Sequence, residues 1–435
     1  MPRRRALAIT LAMAAVLGSE PLAAARPADA PECPAGLACR FLPAAYAQTD
    51  PGDPDAYGNY VRADRPRDGD DIRYIVIHDT EESYDSAIAR FQDPHNRVSA
   101  HYVIRSADGQ VTQLVHTRDI ARHAGNYWFN MHSIGIEHEA VLVDGARWYT
   151  EAMYQASARL VRYLAARYHI PLDREHILSH EEIPGLTPDG VAAMHYDPGP
   201  YWNWAHYFDL LGAPLPAARA SATPVVTIVP RFDTNTEPLR SCSGETCTDL
   251  PDQGSNVVYL HTEPSADAPL IGDPALHPDG SPGTTRVADW SARAVTGQSF
   301  VVAGRTGDWT AIWFGGRLAW FDDPPGQVSA PGHGALITPR PGRSAIPVYG
   351  AAYPEPAAYP ATIPAVAVAA LQYTIPAGQF YLGVARGFGD YYYARFGGTD
   401  TLDNHTLVVG HRRLVEISFN HRRAFVDAAD VLILR

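Results

Sequence analysis

The hexapeptide YIVIHD, residues 74–79, is the stretch that decides the fold of this 435-residue chain. Its run of strand-forming apolar residues predicts a strand that is buried in the protein. Successive side chains of a strand point to opposite faces, so Ile75 and Ile77 share one face while Val76 and His78 share the other. His78 therefore ends a buried strand, at a position from which a side chain can point into a cleft.

Helical and strand patterns alternate along the chain after this hexapeptide. Residues 83–92 (SYDSAIARFQ) predict a short helix, and residues 150–170 predict a longer one whose apolar residues fall on one face. Residues 99–115 (SAHYVIRSADGQVTQLV) predict two strands joined by an Asp-Gly turn, and residues 133–143 (SIGIEHEAVLV) predict another strand. The alternation predicts an α/β domain over residues 71–212, with a mixed central sheet flanked by helices.

The first residues, 1–30, have the pattern of a secretory signal peptide. Three Arg precede an apolar run from Ala6 to Gly18, and small residues suitable for cleavage follow. The run is shorter than the ~20 residues that a membrane-spanning helix needs, so we expect no membrane span. Residues 31–70 are rich in Pro, Asp and Gly and are interpreted as an N-terminal arm. We therefore expect a secreted, extracellular protein.

Four cysteines occur as two close pairs, Cys33 with Cys39 and Cys242 with Cys247. In an exported protein, an even number of cysteines in local pairs indicates two short-loop disulfides. A zinc site built from these cysteines is the weaker interpretation, because neither pair has the two-residue spacing of a zinc knuckle.

The C-terminal half differs from the α/β domain in composition and in its pattern of apolar residues. Residues 213–249 are interpreted as a linker, because they begin with the Ala- and Pro-rich stretch APLPAARASATP. Beyond it, short apolar runs with many Gly and Pro predict an all-β region. An internal repeat divides this region into residues 250–330 and 331–435, and each copy resembles a bacterial Src-homology-3-like domain. The resemblance implies two small barrels that bind the cell wall.

The overall composition is that of a folded, acidic protein. Apolar residues make up 46% and charged residues 19% of the chain, and the formal net charge is −13. Nucleic-acid-binding proteins are typically basic, so no nucleic-acid partner is expected. All 35 basic residues are Arg, so a cationic group in any active site must be Arg or His.

Histidine is concentrated in the predicted α/β domain, where 12 of the 18 His lie between His78 and His206. His180 follows an apolar run in ILSHEEIPG, and Asp197 lies in MHYDPGPYWNW, where Pro-Gly-Pro ends any regular structure. Two neutral imidazoles and one carboxylate make a three-ligand zinc site with an open position for water. The spacing alone is not specific, because a single His is more often a hydrogen-bonded structural residue.

Five motifs in a fixed order carry a family resemblance: YIVIHDT, SAHYVI, HAGN, SIGIEHE and SHEEIPG, the last followed by HYDPGP and WNW. Together they resemble the zinc-dependent N-acetylmuramoyl-L-alanine amidases, which include the muropeptide amidases and the peptidoglycan recognition proteins. The resemblance covers about residues 70–212. It implies that zinc is the cofactor, with His78, His180 and Asp197 as its ligands.

The same resemblance implies that Glu137 of SIGIEHE is the catalytic acid/base. The strand pattern agrees, because Ile134 and Ile136 face the core and Glu137 points the other way. Its role is to take a proton from the zinc-activated water and pass it to the leaving amine. Glu139 points in the same direction and is the competing candidate.

Related muropeptide amidases carry a Lys two residues before the ligand Asp, where this chain has His195. A hydrogen-bonding or protonated imidazole at this position polarises the scissile carbonyl, and the rate then falls where His loses its proton. The alternative is that His195 only positions the turn. Weaker candidates for substrate contact lie in the flanking motifs, and they are His101, His123, Asn126 and Trp128.

These observations predict a secreted, cell-wall-associated peptidoglycan hydrolase that cuts between N-acetylmuramic acid and the L-alanine of the stem peptide. Two alternatives remain. One is a peptidoglycan-binding protein without catalysis, as some relatives are. The other is a zinc peptidase acting within the stem peptide, although the chain has no H-E-x-x-H helix.

Overall fold

The strand predicted at YIVIHD is strand β3 (Tyr74–Asp79) of the computed structural model, which describes residues 30–53, 56–394 and 405–434. All of its residues are buried. It runs parallel to a neighbour on each side, β7 (Ser133–His138) and β8 (Ile177–Ser179). A strand enclosed in this way requires the continuous apolar run that the sequence shows. The signal peptide predicted for residues 1–30 lies outside the described residues, apart from Ala30.

The six-stranded sheet around β3 has the order β1-β5-β4-β7-β3-β8. Its β4–β5 pair is the antiparallel hairpin predicted from the Asp-Gly turn, whereas β4 and β7 are parallel. The sheet is therefore mixed, as predicted. Its remaining strands are β1 (Cys39–Phe41), β4 (Tyr102–Ile104) and β5 (Val111–Gln113), and a separate short pair consists of β2 (Tyr60–Val61) and β6 (Ile120–Ala121).

The longest helix begins where the sequence predicts it. The Thr150 hydroxyl accepts a hydrogen bond from the Met153 N–H, and His169 ends the helix in the left-handed conformation. Leu160 and Leu164 lie on its buried face and pack in the main core. The helices are α1 (Tyr84–Phe91), α2 (Tyr127–His132), α3 (Gly145–Trp148), α4 (Glu151–Tyr168), α5 (Pro188–Val191) and α6 (Trp204–Leu211). Within the described ranges, none of them is long and apolar enough to cross a membrane.

The C-terminal half is all-β, as predicted, and consists of antiparallel sheets. One sheet has the order β16-β15-β14-β9-β17 and another has the order β20-β19-β23-β22-β21-β18-β24. The bounds of the first group are β9 (Val225–Ile228), β10 (Arg240–Ser243), β11 (Thr246–Asp249), β12 (Val257–Tyr259), β13 (Arg293–Val295), β14 (Ser299–Thr306), β15 (Trp309–Phe314), β16 (Arg317–Asp322) and β17 (Ser329–Pro331). The second group comprises β18 (Ala335–Pro339), β19 (Ala345–Tyr349), β20 (Ala370–Pro376), β21 (Tyr381–Tyr393), β22 (Thr406–Ser418), β23 (Arg423–Asp427) and β24 (Val431–Leu434).

Residues 213–249 were predicted as a linker from their composition, but they contain paired strands. Strand β9 lies between β14 and β17, and its four residues are buried. Strands β10 and β11 form a hairpin in which Cys242 lies opposite Cys247. The Ala- and Pro-rich stretch covers only the start of the segment. The strands after it are too short to be recognised from amino-acid composition. The likeness of residues 250–330 and 331–435 to Src-homology-3-like domains stays a prediction.

The predicted disulfides Cys33–Cys39 and Cys242–Cys247 are both present. The first closes a loop in the N-terminal arm, beside strand β1, which pairs in parallel with β5. The arm is thus built into the edge of the central sheet rather than extended from it.

Glu32 is the polar anchor of this arm. Its carboxylate accepts hydrogen bonds from the Thr117 N–H at 2.8 Å and from the Gln113 amide at 2.7 Å, and it pairs with Arg167 at 2.9 Å. Burial by itself raises the pKa of Glu32, but the hydrogen bonds from His116, Thr117 and Gln113 and the charge of Arg167 hold it well below its ordinary value.

The Glu32→Gln variant tests this anchor through the pH dependence of stability. A carboxylate with a depressed pKa stabilises the fold above its unfolded pKa of ~4.3, and this contribution is lost as the pH falls towards its folded value. We expect the variant to lose roughly 1–3 kcal/mol of unfolding free energy at pH 7 and to approach the wild type as the pH falls below ~4. Urea unfolding at several pH values measures the difference.

The matched control is Glu245→Gln, at an exposed position in the β10–β11 turn. It should leave the unfolding free energy unchanged at every pH. A Glu32→Gln variant that is as stable as the wild type at pH 7 would contradict the assignment of Glu32 as an anchor.

Candidate metal centre

Three side chains converge at the carboxyl-terminal edge of the central sheet. His78 lies in β3, and His180 opens the 3₁₀ turn His180–Glu182 directly after the neighbouring strand β8. Parallel strands end at the same edge, so these two side chains meet. Asp197 reaches the same point from the Pro-Gly turn, whose backbone is tied to the His180 turn by the Glu181 N–H donating to the Asp197 carbonyl at 3.1 Å.

The distances between the donor atoms of His78, His180 and Asp197 are close to those expected around a bound metal ion. The two Nδ1 atoms are 3.1 Å apart, and each lies close to an Asp197 oxygen, at 3.2 Å for His78 and 3.0 Å for His180. Two zinc–ligand bonds of about 2.0–2.1 Å at a tetrahedral angle separate their donor atoms by roughly 3.3 Å. All three side chains are buried. The three residues predicted from the sequence therefore lie together at separations that fit a metal ion such as zinc.

The charge state of this group also suits a cation. Burial alone raises the pKa of Asp197, but His180, His195 and His78 hold it well below its ordinary value, so the carboxylate is ionised. Burial and the neighbouring His180 lower the pKa of His78 to about 4, even though Asp197 acts to raise it. At neutral pH the group therefore presents an anionic oxygen and a neutral imidazole, which are the forms that bind a metal.

A chain of hydrogen bonds sets which nitrogen of His78 carries the hydrogen. The Ser133 hydroxyl donates to the Phe129 carbonyl at 2.6 Å, so its oxygen accepts the hydrogen of His123 Nε2 at 3.1 Å. His123 Nδ1 must then accept the hydrogen of His78 Nε2, at 2.9 Å. The lone pair of His78 Nδ1 is left facing His180 and Asp197. His123 thus orients a ligand, as partners behind metal-bound imidazoles commonly do.

Gly135 makes room for this relay. It lies in strand β7, where a Cβ atom would come within 2.4 Å of the His123 ring. A side chain of any size would therefore displace His123 from its position between His78 and Ser133.

Glu137 lies beside His78 in the paired strands β3 and β7. Burial and the negative charge of Asp197 raise its pKa well above the ordinary value, and its Oε2 atom has no hydrogen-bond partner among the described residues. Glu139, the competing candidate, instead accepts hydrogen bonds from the backbone N–H groups of Tyr84 and Ser106, at 3.0 and 2.9 Å. The geometry favours Glu137 as the acid/base because Glu139 is occupied in supporting the backbone.

His195 lies at the rim of the same site. Its side chain is 73% exposed, and its Nδ1 atom is 3.6 Å from Asp197. The nearby Asp197 carboxylate raises the pKa of His195 above its ordinary value. The ring is placed to hydrogen-bond a substrate that enters from solvent.

A cleft of about 320 Å³ opens over these groups and is lined by His78, Glu137, His180, His195 and Asp197. Of the four weaker candidates, His123 lines the cleft as well. The structure places the other three among buried structural contacts: His101 bonds the Asp119 carbonyl, Asn126 caps helix α2, and the Trp128 indole donates to Asp390. These three residues lie close in sequence to residues that line the cleft, but their own side chains pack elsewhere.

Arg122 is a cleft residue that the sequence analysis did not single out. It lines the cleft beside His123, and within the described ranges no carboxylate lies within ion-pair distance of its guanidinium. Burial and the like charge of Arg97 hold the pKa of Arg122 below its ordinary value. Its position directly before the HAGN motif was the only sequence signal for a role in the site. A strand pattern alone does not show which face of the strand lines a cleft.

The mixed sheet with a His-His-Asp group and a half-buried glutamate at its edge defines a candidate metal-dependent hydrolase. A profile of the N-acetylmuramoyl-L-alanine amidase family matches residues 68–200. N-acetylmuramoyl-L-alanine amidase A of Achromobacter lyticus is 38% identical over 152 residues, which cover 32% of this chain and 81% of that protein. This chain therefore belongs to the N-acetylmuramoyl-L-alanine amidase family, which confirms the predicted enzyme class.

Two further similarities cover a similar part of the chain. N-acetylmuramoyl-L-alanine amidase AmiD of Escherichia coli K12 is 31% identical over 151 residues, which cover 31% of this chain and 51% of that protein. The solved complex of AmiD with anhydro-N-acetylmuramic acid-L-Ala-D-gamma-Glu-L-Lys is 24% identical and covers 38% of this chain and 75% of that chain, with a TM-score of 0.27. This score is too low to establish a common overall structure.

The Gly135→Ala variant tests the His123 relay. Its methyl group collides with the His123 ring, so His78 loses the partner that orients it. We expect the affinity for zinc to fall by about tenfold or more, since partners behind metal ligands are typically worth that much. Competition with a zinc-binding dye measures the affinity. Gly387→Ala is the control, because a Cβ there meets nothing within 4 Å; equal zinc affinity in both variants would rule out the relay.

Proposed function

We propose that this protein is a secreted, zinc-dependent peptidoglycan hydrolase that cleaves the amide between N-acetylmuramic acid and the L-alanine of the stem peptide. One observation carries the proposal: His78, His180 and Asp197 converge beside the half-buried Glu137 in one open cleft. Membership in the amidase family supports the same reaction.

His78, His180 and Asp197 would hold the zinc ion, which when bound supplies a Lewis acid that activates water at neutral pH. Glu137 has a raised pKa, so it ionises only near a positive charge. In that form it takes a proton from the attacking water and returns it to the leaving amine. His195 is exposed at the rim and donates a hydrogen bond to the scissile carbonyl oxygen as negative charge develops there.

Secretion and attachment to the cell wall belong to the proposal as well. Two disulfides are typical of proteins that fold outside the cytoplasm. The N-terminal residues 1–30 have the pattern of a signal peptide, and the all-β half resembles modules that bind cell walls. We expect peptidoglycan to be the substrate polymer.

The proposal is tested by mass spectrometry of peptidoglycan digested with the mature protein and with its Glu137→Gln variant. The wild type should release stem peptides that begin at L-alanine, and a chelator should abolish the release until zinc is restored. Loss of the acid/base should lower the rate by about 10²–10⁴-fold. Glu139→Gln is the matched control, and its effect should be much smaller, because Glu139 supports backbone N–H groups.

Other outcomes would assign one of the two alternatives. Cuts within the stem peptide would identify a zinc peptidase. Wall binding without any cut, and without an effect of Glu137→Gln, would identify a recognition protein.

Arg122 gives this cleft a site for an anion. Its guanidinium has lost much of its hydration without gaining an acidic partner in the described residues, and its Nη2 atom has only a long contact of 3.5 Å with the Tyr57 carbonyl. A buried cation in this state is stabilised by a carboxylate that arrives with the substrate. The substrate in the AmiD complex contains a γ-linked glutamate, and that linkage leaves the α-carboxylate free. We therefore assign Arg122 to a carboxylate of the stem peptide.

The Arg122→Gln variant tests this assignment with two synthetic substrates that differ in one group. One has a free α-carboxylate on its γ-linked glutamate, and the other has an α-carboxamide. We expect the KM of the variant for the first substrate to rise by about tenfold, or ~1.4 kcal/mol, with little change for the second. Arg118→Gln, at an exposed position, is the control. An equal rise for both substrates would show that the carboxylate bound by Arg122 is not this one.

A further inference from the structure

Two irregular loops carry two of the three proposed metal ligands. His180 begins the segment 180–185 after strand β8, and Asp197 begins the turn 197–202. Within the described residues, side chains donate hydrogen bonds to several carbonyl groups of these segments. Buried backbone carbonyls need hydrogen-bond partners, so the source of those partners decides what holds the ligands in place.

Asn256, from the β-rich C-terminal half, supplies the partners of three carbonyls in the Asp197 turn, whereas Tyr149 of the α/β domain donates to the Pro198 carbonyl at 2.6 Å. Its side-chain amide donates to the carbonyls of Gly199 at 2.9 Å and Trp202 at 2.8 Å. Its backbone N–H donates to the Pro200 carbonyl at 2.7 Å. Asn256 is fully buried, so water cannot replace these three bonds.

Gln298, also from the C-terminal half, holds the side chain of Glu182 in the His180 loop. Its amide donates to Glu182 at 3.3 Å and to the His421 carbonyl at 2.7 Å, which links the loop to the C-terminal sheet. The same glutamate accepts the Ser179 N–H at 2.8 Å and pairs with Arg174 at 2.7 Å. Glu182 is therefore held by contacts from both the α/β domain and the C-terminal half.

Two further residues of the C-terminal half contact the backbone of the His180 loop. Arg422 donates to the Ile183 carbonyl at 2.6 Å, and its guanidinium lies over the Trp290 ring at 4.4 Å. Gly350 approaches so closely that a Cβ atom there would lie 1.8 Å from the Gly185 carbonyl oxygen. The C-terminal half thus contacts this loop at three successive points, Glu182, Ile183 and Gly185.

We propose that the β-rich C-terminal half positions the metal ligands, by holding in place the two loops that carry His180 and Asp197. The contacts are buried and polar, so each one is satisfied at a single relative placement of the two halves. Asn256 and Gln298 are positioning residues, because they touch neither the metal ligands nor the cleft. The inference rests on the proposed function in one respect, namely that His180 and Asp197 bind the metal.

The test uses full-length protein with Asn256→Asp and, separately, Gln298→Glu. Both substitutions keep the shape of the side chain, remove its N–H donors and place a negative charge against carbonyl or carboxylate oxygens. Zinc affinity is measured by competition with a zinc-binding dye. Hydrogen exchange of peptides covering residues 179–185 and 197–203 is measured in the metal-free protein.

We expect each substitution to weaken zinc binding by about tenfold or more and to speed exchange in the loop that it contacts. Gln379→Glu is the matched control, because Gln379 is also a buried amide, donates to the Gly316 carbonyl at 2.9 Å and contacts neither loop. It should leave zinc affinity unchanged even where it lowers the melting temperature. Unchanged zinc affinity and loop exchange in both test variants would overturn the proposal.

Two further outcomes remain distinguishable. If a charged variant fails to fold, Gln298→Ala and Asn256→Ser remove the same donors without adding charge, and the same criteria apply to them. If the wild type binds no zinc or cuts no peptidoglycan, the proposed function fails, whereas loop exchange in the metal-free protein still decides whether the C-terminal half holds the loops.

Discussion

The meeting of the Asp197 carboxylate with two imidazoles is the constraint on which the rest of this structure depends. His78 and His180 are separated by 102 residues, yet their Nδ1 atoms lie 3.1 Å apart and both face Asp197. Buried side chains of this kind repel one another or lose hydration unless each has an opposite charge or a hydrogen-bond partner. The His78 Nδ1 lone pair and the ionised Asp197 carboxylate face each other at 3.2 Å, and a cation between them would turn this repulsion into attraction.

The surroundings of the three candidate ligands follow from the same constraint. His78 faces the centre with its lone pair because His123 and Ser133 take up the hydrogen on its other nitrogen. His138 adds a second restraint, since its ring lies 2.8 Å from the His78 carbonyl oxygen and can only donate to it. Both the side chain and the backbone carbonyl of His78 are therefore restrained by hydrogen bonds. This network orients the site before a metal arrives, which lowers the cost of ordering it on binding.

The boundary between the α/β region and the β-rich half combines apolar clusters shared by the two regions with buried polar groups. Arg174, Arg293, Arg422 and Arg423 are all buried, and several donate to backbone carbonyls of the other half. A guanidinium suits this role because it presents five donors in one plane and keeps its charge when buried. Buried charged contacts of this kind add little net stability, because desolvation offsets much of the attraction, whereas the shared apolar clusters stabilise the boundary. A protein whose basic residues are all Arg is well supplied for such contacts.

The sequence by itself determined the central strand, the hairpin, the long helix, both disulfide pairs and the three residues that meet at the site. The elements and disulfide pairs follow from local periodicity, turn chemistry and close cysteine spacing, whereas the three site residues follow from their chemistry together with the family resemblance of the ordered motifs. Only the tertiary structure separated His123, which supports a ligand, from His101, which is a structural residue, and showed that Arg122 faces the cleft. It also placed β9 within a sheet and brought Asn256 and Gln298 onto the ligand loops. Contacts between residues so far apart depend on how the elements pack, and no local pattern contains that information.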